Sequence, residues 1–202
     1  MARVLILFAH PALERSRVHS ILLKQIRNIP GVTFHDLYQA YPDFDIDVKK
    51  EQALLLEHDI IILQHPFYWY SSPALIKQWQ DLVLEHHWAY GHDGRMLEGK
   101  WIFNAISSGA KRDAYSNQGR NRFSVSQLLA PFDQTAYLCK MTYLPPFVVD
   151  GSFKLTRADM ESKALQYQQL LHALVNDKIS KEEWSGVEYL NDLFPVAKTV
   201  EL

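Results

Sequence analysis

Apolar residues follow two alternating rhythms along this chain. Uninterrupted apolar runs, as at residues 4–9 and 60–63, suit strands buried on both faces of a parallel sheet. Between such runs lie segments with an apolar position every three or four residues, the spacing of one-sided helices. The pattern predicts strands over 3–8, 32–37, 59–63, 100–106 and 143–149. The first helix starts near Ser16, carries a stripe of Val18, Ile21, Leu22 and Ile26, and stops at Pro30-Gly31. A second runs from Asp47 as N-cap to residue 57. A third has Ser72 at N-cap, Pro73 at its first position, and Leu75, Ile76, Trp79, Leu82 and Val83 inward. A fourth covers 124–141 with a kink at Pro131, and a fifth opens on a capping box of Thr156 and Asp159. Strands alternating with helices specify an α/β class: a three-layer sandwich around a five-stranded parallel sheet, with ligands beyond the carboxyl ends of the strands. Residues 1–178 form that unit. Residues 179–202 lack periodicity, keep Trp184, Tyr189, Leu190, Leu193 and Phe194, and read as an extension packed on the domain or on a partner subunit.

Composition adds exclusions. The 202 residues carry a formal net charge of −2, which supplies no attraction for nucleic acid. The one cysteine, Cys139, cannot close an internal disulfide, so a reducing, cytoplasmic compartment is expected. The apolar runs are too short to cross a membrane.

Three loops hold unusual chemistry. The first, residues 10–19, contains His10, Arg15, Ser16, Arg17, Val18 and His19 at a helix start, but no G-x-G-x-x-G or Walker pattern. Free helix N–H groups, the macrodipole and cations together suit a phosphate; Ser16 alone would serve equally as an N-cap. In the second loop, Phe67-Tyr68-Trp69-Tyr70 occupies a turn where Gly, Asn and Asp are usual. These rings either wall a flat apolar ligand or plug the core beneath the loop. The third, Ser107-Ser108-Gly109-Ala110, lets backbone approach a ligand closely, and Gly109 permits a positive φ. A phosphate at one end and an aromatic ring system across the other two loops describe the shape of FMN.

With Ala9-His10-Pro11, Asp36-Leu37-Tyr38, Gln64-His65-Pro66, Trp69-Tyr70-Ser71, Trp88-Ala89-Tyr90-Gly91-His92, Pro131-Phe132 and Leu144-Pro145-Pro146-Phe147, the chain resembles the flavodoxin-like NAD(P)H:quinone oxidoreductases. Among these it is most similar to the ancillary reductases of glutathione-gated potassium-efflux (Kef) systems. The resemblance implies FMN held by His10, Ser16, Arg17, Val18 and His19 at its phosphate and ribityl chain. It places the ring against Phe67, Tyr68, Trp69, Tyr70, Ser107, Ser108, Gly109 and Ala110. It implies hydride transfer from NAD(P)H to quinones with no protein acid or base required, a homodimer with sites near the subunit boundary, and docking to the cytoplasmic face of a potassium-efflux transporter. Two departures stand out: relatives usually carry Thr-Thr-Gly-Gly at 107–110 and often Asn at position 19. Tyr115 lies where larger relatives place a tyrosine that assists hydride transfer.

Other readings are a transporter-activating subunit with incidental reductase activity, or a one-electron carrier; the first loop lacks the clustered hydroxyls of such carriers. His86, His87 and His92 read as caps and packing rather than a metal site, and Asp43, Asp45 and Asp47 as turn and cap residues.

Overall fold

A computed structural model of the chain describes residues 1–26 and 28–195. Six parallel strands, β1 (Val4–Phe8), β2 (Val32–Asp36), β3 (Ile60–Pro66), β4 (Trp101–Ser107), β5 (Thr142–Tyr143) and β6 (Phe147–Val149), form one sheet. The order is β2-β1-β3-β4-β5, with β6 also paired to β4. The predicted fifth strand is thus split in two on one neighbour. Leu144 N–H still donates to Ile102 O, but Pro145 and Pro146 have no N–H to continue the ladder.

Side chains alternate across the sheet. Val4, Ile6 and Phe8 face α1 (Arg17–Ile26) and α7 (Arg157–Val175), while Leu5, Leu7 and Ala9 face α3 (Val48–Glu57), α4 (Ala74–Val83) and α6 (Ala130–Leu138). Both halves of the predicted α/β pattern are therefore present. The differences are local. Asp36 ends β2 one residue early and caps a short α2 (Leu37–Ala40) through the N–H groups of Tyr38 and Gln39. Ser72 makes no cap, and α4 begins after Pro73. The predicted 124–141 helix breaks at Leu129 into α5 (Val125–Leu128) and α6, because Pro131 cannot donate and fits only a first turn. The Thr156–Asp159 capping box stands as read.

The extension folds back on its own domain. It contains α8 (Lys181–Ser185) and a 3-10 turn (Leu190–Leu193). The Asn191 side chain accepts from Val148 N–H at 2.7 Å and donates to Val148 O at 3.1 Å, pairing with the free edge of β6. Gln166 on α7 donates to Asn191 O and Phe194 O. Arg112 joins Glu188 and Asp192 and lies 4.1 Å over the Tyr189 ring. The part of the extension at 196–202 lies outside the described residues.

Candidate functional site

Chain direction around the sheet reverses between β1 and β3, which opens a crevice at their carboxyl ends. The loops after β1, β3 and β4 meet there around an open cavity of about 950 Å³. All the sequence-predicted site residues line it except His19 and Ser108.

In the first loop a 3-10 turn (Leu13–Arg15) delivers the chain to α1. Ser16 Oγ accepts from His19 N–H at 3.1 Å, so Ser16 is an N-cap as well as a cavity residue. The N–H groups of Arg17 and Val18 have no acceptor among the described residues and start the helix beside Arg15. Arg17 is tied by its guanidinium to Leu155 O at 2.9 Å. His10 Nδ1 accepts from Ala12 N–H at 3.1 Å, which leaves its proton on Nε2. Burial, opposed by nearby Glu14, lowers its pKa below the ordinary histidine value, so the ring stays neutral at pH 7.

The second loop is anchored by Phe67 N–H on Ser107 O at 2.8 Å. Trp69 and Tyr70 then take consecutive left-handed conformations, φ 51° and 62°. Such geometry costs about 1–2 kcal/mol per residue outside glycine. It turns Trp69 outward, where 93% of its surface is exposed, and leaves the N–H groups of Tyr68, Trp69 and Tyr70 without acceptors among the described residues. Phe67 alone packs inward, 6.0 Å from the ring of buried Tyr115.

The third loop departs from expectation in two ways. Gly109 does not use a positive φ; the Phe153 ring lies over it, and a Cβ there would push that exposed ring aside. Ser108 points away from the cavity, with its N–H on Val149 O and its hydroxyl on Ala110 O. Only Ser107, Gly109 and Ala110 of this loop face the cavity.

His19 sits behind that wall, fully buried, as part of a polar chain across the core. Tyr167 O–H to Gln64 Oε1 is 3.1 Å, Gln64 Nε2 to His19 Nδ1 is 3.4 Å, and His19 Nε2 to Ser107 Oγ is 3.0 Å. Its direction follows from one end. The buried Tyr167 hydroxyl has Gln64 as its partner and stays protonated, because burial raises its pKa. Its proton therefore requires the Gln64 carbonyl oxygen, which aims the amide N–H at His19 Nδ1. Burial, then the neighbouring His10 and His65, hold the His19 pKa well below the ordinary value. A neutral imidazole accepting at Nδ1 must donate from Nε2 to Ser107 Oγ. The Ser107 hydroxyl proton is thereby released toward the cavity.

Arg120, Asn121 and Phe153 line the mouth without having been predicted. They come from segments whose sequence resembles ordinary exposed loop, and only the return of the chain after β6 brings Phe153 to Gly109.

The flavodoxin-like fold family matches residues 2–171. The ancillary protein KefG of a glutathione-regulated potassium-efflux system from Pectobacterium atrosepticum is 43% identical over 169 residues, covering 84% of this chain and 92% of KefG. General stress protein 14 of Treponema denticola, crystallised in complex with FMN, superposes with a TM-score of 0.81 at 40% identity, over 85% of this chain and 99% of that one. An NADPH-quinone reductase from P. pentosaceus superposes with a TM-score of 0.76 at 38% identity, over 83% and 96%. The match runs through all six strands and the loops of the crevice, and the chain belongs to the flavodoxin-like NAD(P)H oxidoreductase family.

Proposed function

We propose that the protein is an FMN-dependent NAD(P)H:quinone oxidoreductase. The observation that carries this reading is the set of uncommitted donors around the cavity. Arg17 and Val18 N–H belong to one loop of the cavity, and the Ser107 hydroxyl and the Tyr68–Tyr70 amides to the other two, a set that suits a phosphate-bearing planar ring system. A relative 40% identical to this chain was crystallised with FMN. When bound, FMN supplies the two-electron redox chemistry.

The residues of this chain bind, orient and shield. The start of α1, with Arg15 and Arg17, holds the phosphate. His10, neutral and protonated at Nε2, donates a hydrogen bond without adding charge. The Ser107 hydroxyl, aimed by His19, Gln64 and Tyr167, donates to an acceptor on the ring. The backbone N–H groups of Gly109 and Ala110, on the cavity wall, would favour negative charge on a bound ring. Phe67, Tyr68 and Tyr70 cover its apolar part. Tyr115, buried beside Phe67 and kept protonated because burial raises its pKa, places a neutral hydroxyl at the cavity wall.

The expected assembly is a homodimer closing over the cavity mouths. The apolar residues of the Trp88–His92 segment and of the extension as far as residue 195 pack on this domain. What supports the dimer is the mouth, where Tyr68, Trp69 and Tyr70 are each between 44% and 93% exposed. Similarity to KefG supports a second role, docking to a potassium-efflux transporter; no helix among the described residues is long and apolar enough to cross a membrane. The test is the absorption spectrum of the purified protein with mass spectrometry of the heat-released cofactor. Flavin bands and the mass of FMN are expected. A mass of FAD, or failure to take up any flavin, refutes the assignment.

A further inference from the structure

A second groove, of about 550 Å³, opens from the same mouth and shares Gly109, Ala110, Arg120 and Phe153 with the main cavity. Its charge is one-sided. Lys111, Arg120 and Lys154 line it against the single carboxylate of Asp113. All three cations are exposed, and the lysine and arginine ion pairs among the described residues are made elsewhere.

The groove is also built from backbone. Gly119 lies against the Asp113 and Ala114 carbonyls so closely that no Cβ fits. Gly151, in a left-handed conformation at φ 66°, carries the Lys111 stem across it, 3.1 Å from where a Cβ would stand. These contacts keep Gly119 and Gly151 bare and seat the Lys111 stem against Gly151. Phe153 stands at the junction with its ring beside Gly109 and 82% of its surface exposed. An open aromatic face beside unpaired cations is the pairing that receives a nucleotide: base on ring, phosphate on cation.

We propose that this groove binds the adenosine end of the nicotinamide dinucleotide, with adenine on Phe153 and the 2′-phosphate at Lys111 and Lys154, so that the protein prefers NADPH to NADH. The inference rests on the reductase reading, which brings a dinucleotide to the mouth of this cavity. Charge sets the preference. NADH presents only its pyrophosphate, whereas the extra phosphate of NADPH gives the two lysines a dianion to neutralise. The groups are exposed, so the preference weakens as salt screens them.

The test uses the FMN-loaded protein and calorimetry with three probes: adenosine 2′,5′-bisphosphate, 5′-AMP and inorganic phosphate. The bisphosphate is expected to bind about tenfold or more tightly than 5′-AMP, with inorganic phosphate weakest. In the double variant Lys111→Glu/Lys154→Glu, bisphosphate affinity falls about tenfold or more while 5′-AMP affinity changes less. Phe153→Ala weakens both nucleotides alike. In steady state the double variant raises KM for NADPH about tenfold and leaves KM for NADH within about twofold, with unchanged FMN content as the control for folding. Bisphosphate binding no tighter than 5′-AMP, or an NADPH-to-NADH KM ratio unaltered in the double variant, overturns the proposal. A protein that oxidises both dinucleotides equally well defeats the groove and leaves the reductase reading standing. One that binds the bisphosphate through these lysines but oxidises neither dinucleotide defeats the reductase reading alone.

Discussion

Tyr167 lies on α7, on the far side of Gln64 and His19 from the cavity, yet its hydroxyl decides which way Ser107 points. Tyr167→Phe removes the donor that holds the Gln64 side-chain carbonyl toward it, so the amide can flip and His19 can exchange tautomers. Ring 15N shifts of His19 are expected to show Nε2 protonated and Nδ1 bare in the native protein, and a mixture in Tyr167→Phe. FMN affinity should fall by about 1 kcal/mol, the worth of one hydrogen bond. A native spectrum with Nδ1 protonated would reverse the chain and remove the Ser107 donor. Trp69 gives a second prediction at this scale. Because it is 93% exposed, Trp69→Ala should leave stability within about 0.5 kcal/mol, while FMN binding or dimerisation weakens by about 1 kcal/mol. Thermal melting of the apoprotein against flavin titration separates the two effects.

Among elements, α3 is joined to the sheet edge and to α4 by one carboxylate. Glu51 is fully buried and accepts from His35 Nε2 at 2.8 Å, Tyr41 O–H at 2.6 Å and Trp79 Nε1 at 2.8 Å. Burial pushes its pKa up, but the three donors outweigh that and hold it below the ordinary carboxylate value. A folded-state pKa below the unfolded one contributes stability that is complete above the unfolded value, near 4.5, and is lost as pH falls through the folded value. Glu51→Gln removes the charge and turns an NH₂ toward donors that need an acceptor, at a cost of about 2–4 kcal/mol near pH 7. In urea titrations the gap between variant and native protein should be constant above about pH 5.5 and narrow as pH falls through 4.5 and below. A gap that widens on acidification would contradict this network. The extension offers a parallel case. Asn191→Leu leaves both Val148 backbone groups buried and unpaired and should destabilise by about 2–3 kcal/mol. Arg112→Ala, whose ion pairs are about 40% exposed, should cost about 1 kcal/mol or less.

At the scale of the whole molecule, three consecutive exposed aromatics, Tyr68, Trp69 and Tyr70, stand at the mouth of the crevice. The loops after β3 and β4 both end there, and Tyr70 O–H reaches Asn121 between them. A second subunit closing over Tyr68, Trp69 and Tyr70 would shield the site from water and fix the approach of substrates. Light scattering at micromolar concentration should give about twice the 23.5 kDa chain mass. A monomer with full reductase activity at nanomolar dilution would show that one chain makes a complete site.

What the sequence determined by itself was local. Runs such as 4–9 and 60–63 could only be buried strands, the Thr156–Asp159 box could only start a helix, and the composition of three loops named most of the cavity lining. These signals are written in neighbouring residues, where spacing and side-chain type suffice. The tertiary structure decided what depends on partners distant along the chain. His19 is contiguous with the helix start, but the sheet swings its ring behind Ser107, 88 positions away, so it orients a donor and does not line the cavity. The extension shows no periodicity because Asn191, Gln166 and Arg112 hold it through side-chain hydrogen bonds to an existing edge, not through a face of its own. Phe153 meets Gly109 because the chain, interrupted at Pro145-Pro146, returns along β4. Local pattern encodes which groups are buried; only packing encodes which groups meet.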